Sequence, residues 1–113
     1  MNGLAQLKNA TLRDTLLTIK KELCAIAGDR ARLILYGSHA RGQERDDSDV
    51  DLVVILPDDL HTPSIENAVR EVIYEFADRT ELFLSVMVLS ETQASKYNRF
   101  PIHKNIEKEG ISV

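Results

Sequence analysis

Cysteine is nearly absent from this chain: one residue, Cys24, among 113. An intrachain disulfide is thereby excluded, and Cys24, beside an apolar helical stripe, is expected to pack as a small hydrophobe. No apolar stretch reaches the length of a membrane span and no signal peptide is recognisable, so a cytoplasmic protein with no membrane partner is the expectation. Basic residues are outnumbered, 14 Lys and Arg against 18 Asp and Glu, for a formal net charge of −4. With no basic run to track a polyphosphate backbone, strong nucleic-acid binding is not expected. A small anionic substrate held through a metal ion fits this charge better. The three histidines, His39, His61 and His103, are scattered without metal-ligand spacing. Repeats, low-complexity segments and linkers are also missing. At 43% hydrophobic and 28% charged, the composition predicts one compact domain over 1–113.

What is present begins with a helical pattern. Between Leu4 and Ala27, apolar residues recur at Leu12, Leu16, Ile19, Leu23 and Ile26, and Gly28 is the natural stop. Leu33 to Tyr36 is a short apolar run leading straight into Gly37, which predicts a buried strand mounting the turn behind it. A polar stretch, Gln43 to Ser48, precedes a second strand over Asp49 to Leu56 that ends at Pro57. Thr62 and Pro63 form a helix start, followed by Ile65, Ala68, Val69, Val72, Ile73, Phe76 and Ala77 at helical spacing. Leu82 to Leu89 predicts a third strand, so continuously apolar that cover on both faces is expected. Ser90-Glu91-Thr92-Gln93 has the pattern of a capping box, with a short helix fading near Asn98. Ile102 and Ile106 suggest one more helical turn before Gly110. Tyr36 and Phe76 are expected in the core.

Chemistry concentrates in Gly37-Ser38-His39-Ala40-Arg41-Gly42 and Ser48-Asp49-Val50-Asp51-Leu52. Gly37 and Gly42 allow a tight turn whose amides, with the Ser38 hydroxyl, can reach a phosphate chain. On a strand, Asp49 and Asp51 project from one face with Cα atoms roughly 6.5 to 7 Å apart. Two ionised carboxylates that close call for a cation, and Mg²⁺ held by carboxylates plus substrate phosphates is the usual answer. A P-loop is excluded because Gln43 and Glu44 stand where lysine and Ser/Thr are required. A calcium loop is excluded because Leu52 follows Asp51 where the turn needs glycine.

Together these segments resemble the minimal nucleotidyltransferases of the DNA polymerase β-like superfamily, and the resemblance covers nearly the whole chain. It implies an α+β nucleotidyltransferase fold, a mixed β-sheet packed with helices in a single domain. It also implies transfer of a nucleoside monophosphate, AMP from ATP, to an acceptor hydroxyl with Mg²⁺ or Mn²⁺ as cofactor. Many such small proteins look like the antitoxin half of HEPN–nucleotidyltransferase pairs, which implies a helical HEPN-domain partner carrying the acceptor and leaves a homodimer open. Carried over by position, Gly37 and Ser38 match the phosphate-gripping pair, and Asp49 and Asp51 match the first two metal ligands and catalytic acids. Arg41 takes the loop's basic position, as a nucleotide contact or a structural ion pair.

The chain departs from the family pattern at the third carboxylate, which belongs on the next strand. Ser85 is the nearest match there, and Glu81 lies four residues earlier, about 13 Å away along an extended chain. Two functions follow as expectations: a transferase, or a non-catalytic module that neutralises a HEPN-type toxin by contact. An aminoglycoside-modifying enzyme would need a further helical domain, for which 113 residues leave no room.

Overall fold

The computed structural model describes residues 2–3, 10–36, 50–80, 82–96 and 110–113. A two-residue strand, β1 (Asn2–Gly3), comes first. Helix α1 (Ala10–Ala27) follows and buries Leu12, Leu16, Ile19, Leu23 and Ala27, the stripe its spacing dictates. Gly28 ends it at φ 78, its amide donating to the Cys24 carbonyl at 2.8 Å. A left-handed residue there satisfies an orphan carbonyl without a Cβ penalty. Cys24 is only half-buried. Strand β2 (Arg32–Tyr36) follows.

Strand β3 (Val50–Leu56) pairs antiparallel with β2 and leads through a 3-10 turn (Asp58–Leu60) into α2 (Pro63–Thr80). Thr62 caps α2, its hydroxyl accepting the Ile65 amide at 3.2 Å. Strand β4 (Leu84–Ser90) lies parallel to β3 and passes directly into α3 (Glu91–Lys96). The expected capping box closes this junction. The Gln93 amide donates to the Ser90 hydroxyl and the Ser90 amide to Gln93 Oε1, each at 3.0 Å.

Strand β5 (Ile111–Ser112) pairs antiparallel with β2 and parallel with β1, so the sheet reads β1-β5-β2-β3-β4. These two short pairings were not anticipated from the sequence, because two residues carry no period. The mixed sheet with helices is the α+β nucleotidyltransferase-type arrangement that the resemblance implies. The turn expected around Ile102 and Ile106 lies outside the described residues. No helix among the described residues is long and apolar enough to cross a membrane.

Strand alternation divides the sheet into two faces. Leu33, Leu35, Leu52, Val54, Leu84 and Val88 face α1 and α2 and form the main core with Leu16, Ile19, Leu23, Val69 and Ile73. The other face carries a smaller cluster of Ile34, Val53, Ile55 and Leu89, with Tyr36, Met87 and Ala94 packed at its margin. One expectation is corrected here: β4 is not covered on both faces along its length, since Ser85 and the preceding Phe83 are exposed. Leu82 and Phe83 also precede the strand rather than belonging to it.

The end of the sheet at Leu56 is fastened by polar groups. Asp58 accepts the Thr92 amide at 2.9 Å and the Thr92 hydroxyl at 2.5 Å. Arg30, in the α1–β2 turn, lies 3.8 Å from both Asp59 and Glu91. Exposed pairs at that distance contribute little, so the Asp58–Thr92 contact is the specific tie. The Thr92 hydroxyl and amide hold the Asp58 carboxyl below its ordinary pKa of 3.8. The folded chain therefore binds fewer protons than the unfolded chain just below that value, so this contribution is complete above about 3.8 and vanishes as pH falls through the folded-state value. Thermal melts of Asp58→Asn against the parent chain should show a gap at neutral pH that closes on acidification. A gap that stays constant to acid pH would contradict the tie.

Candidate functional site

Register places three side chains in one row at the end of the sheet opposite that tie. Asp51, second residue of β3, pairs with Tyr36 on β2 and with Ser85 on β4. Alternation sends all three to the face away from α1 and α2, continuing the Ile34, Val53 and Met87 positions one step outward. Neighbouring strands lie about 4.8 Å apart, so the row spans roughly 10 Å. Asp51 is half-buried, Tyr36 half-buried and Ser85 exposed. The row thus grades from apolar cover to solvent.

Burial, and then the negative charge of Asp51, push the Tyr36 phenol above its ordinary pKa. At neutral pH Tyr36 keeps its proton and presents an uncharged O–H beside the carboxylate. Tyr36 was expected only as core. The signal that could have found it is pairing: the last residue of one strand opposes the acid near the start of its antiparallel neighbour.

Of the residues singled out from sequence, the structure brings Asp51 and Ser85 together as direct cross-strand neighbours. Gly37, Ser38, Arg41, Asp49 and Glu81 lie outside the described residues. Among the described residues, no group of three His, Cys, Asp or Glu side chains is placed to hold a metal ion. On β4, the position facing Asp51 offers the neutral hydroxyl of Ser85. The oxygen donors present, a carboxylate and a hydroxyl, suit a hard cation such as Mg²⁺ rather than a thiophilic one.

The model of the nucleotidyltransferase domain family matches residues 16–112. The chain belongs to that family. Its match takes in both candidate acids, the Gly37–Gly42 motif before them and all of β2 to β4. Among solved structures, a toxin–antitoxin structure with AMP-PNP is similar at a TM-score of 0.51 and 14% identity, covering 88% of this chain and 69% of that one. A provisionally named nucleotidyltransferase from Sulfolobus solfataricus is similar at a TM-score of 0.48 and 18% identity, covering 74% of this chain and 70% of that one. No curated protein matches the chain.

Proposed function

We propose that this chain is a Mg²⁺-dependent nucleotidyltransferase that moves AMP from ATP to a hydroxyl on a partner protein, as the antitoxin-type half of a pair with a HEPN-domain toxin. The observation that carries this reading is Asp51 at the start of β3, half-buried beside Tyr36 and Ser85, within a nucleotidyltransferase domain. The toxin–antitoxin neighbour, holding a nucleotide analogue in its own structure, supports the choice of substrate and partner.

In this reading Gly37 and Ser38 grip the triphosphate with amides and a hydroxyl, and Arg41 adds positive charge to the turn. Asp49 and Asp51 hold the metal, which when bound offsets phosphate charge and fixes the triphosphate for in-line attack. The acceptor oxygen bonds to the α-phosphorus, the bond to the bridging oxygen breaks, and pyrophosphate leaves. Tyr36, kept protonated, can donate a hydrogen bond without adding a second negative charge next to Asp51. Ser85 can orient a water but takes no proton at neutral pH. Removal of the acceptor proton is therefore the weak step.

Labelled ATP, Mg²⁺ or Mn²⁺ and a co-purifying partner supply the assay. Label should appear on the partner, and its persistent absence with either metal would remove the catalytic claim. Replacing Ser85 by Asp should raise transfer by about tenfold or more, since a positioned base contributes at least that much. Partner-labelling rates of the two chains check it, and an unchanged rate would mean that position 85 does not face the reaction.

A second reading rests on Ser85 standing where the family pattern has an acid: the chain neutralises its partner by contact alone. Neutralisation that survives Asp51→Asn would select contact, whereas neutralisation lost with the complex still formed would select chemistry.

A further inference from the structure

Among the described residues three large apolar side chains are exposed: Leu17, Tyr74 and Phe83. Leu17 and Tyr74 belong to α1 and α2, which cover the other side of the sheet from Asp51. Phe83 is different. It is 73% exposed, the most of the three, and sits immediately before β4. Its carbonyl accepts the Val50 amide at 2.8 Å, which extends the β3–β4 ladder by one bond and fixes its backbone. Leu84 points into the main core and Ser85 points away from it, so alternation puts Phe83 on the side of Ser85 and Asp51. Asp51 faces Ser85 in register, and Phe83 is two residues further out, a diagonal of about 8 Å from Asp51.

Resting on the reading of Asp51 as the acid that holds the metal–triphosphate, we infer that Phe83 is the platform on which the nucleobase stacks. A base is tied to its triphosphate through one ribose, so phosphates anchored at Asp51 leave the base within reach of a ring one diagonal away. The exposed apolar ring then has an occupant of matching shape, a flat aromatic heterocycle whose stacking removes the two touching faces from water. Stacking also sets what this residue cannot do. Every base has a π face, so Phe83 supplies affinity without choosing among bases, and ATP and GTP should depend on it alike.

Equilibrium titration of the full chain with Mg²⁺–ATP, Mg²⁺–GTP and Mg²⁺–tripolyphosphate tests this. Phe83→Ala should raise the Kd for both nucleotides about tenfold, in keeping with the loss of one base stack, and leave tripolyphosphate binding unchanged. The chain contains no tryptophan, so Phe83→Trp introduces a sole indole that should retain ATP binding and lose fluorescence on adding ATP but not tripolyphosphate. If Phe83→Ala leaves the Kd for ATP unchanged while Asp51→Asn weakens tripolyphosphate, the stacking assignment is overturned and the metal reading stands. Equal weakening of ATP and tripolyphosphate in Phe83→Ala would overturn it too, as a structural effect. Failure of the parent chain to bind either ligand with Mg²⁺ would overturn both.

Discussion

Asp51→Asn should lower Mg²⁺-dependent transfer by about 100-fold or more, at unchanged thermal stability. Replacing even the groups that orient a metal's ligands costs 10- to 100-fold, so removing a ligand's charge sets that as the lower bound. The exchange keeps shape and hydrogen-bonding size while deleting the charge that a cation needs. Fold stability should not fall because Asp51 is half-buried at the end of a strand and its helix-facing neighbours, Val50 and Leu52, carry the packing. Rates of label transfer, with melting temperature as the control, check this. An active Asp51→Asn chain would remove the central acid from the mechanism.

The second large effect is on stability alone. Leu16 is fully buried in the middle of α1, whereas its neighbour Leu17 is 44% exposed. Leu16→Ala should cost about 2–5 kcal/mol through lost burial and a residual cavity, a large share of the roughly 5–15 kcal/mol that stabilises a domain. Leu17→Ala should change stability by less than about 0.5 kcal/mol. Urea titration of both variants gives the comparison. Similar costs at the two positions would mean that α1 presents a different face to the sheet.

Features that depend on a few adjacent residues were legible in the sequence. Gly28 ends α1, Thr62 caps α2, and Ser90 with Gln93 forms the reciprocal box at α3. In each case the hydrogen bond is local and the residue type dictates it. The pairing of Ser85 with Asp51 was also within reach, because the strand order was known from the resemblance and side chains alternate. Less was legible where the pattern is uniform. The run from Leu82 to Leu89 is so evenly apolar that it concealed the exposure of Phe83, and the run Leu33 to Tyr36 hid which residue would face Asp51. Only pairing across strands separates the faces, and pairing is not local. Gly37, Ser38, Arg41 and Asp49 lie outside the described residues, so their assignment rests on the motif alone.

Ser85 points outward from the strand that carries it, while Leu84 and Val88 on the same strand lock that strand against the helices. Position 85 is therefore separate from the atoms that pack the strand. In the transferase reading, an exchange at position 85 alters the chemistry and leaves the scaffold intact, so variants there should all be equally easy to produce and compare.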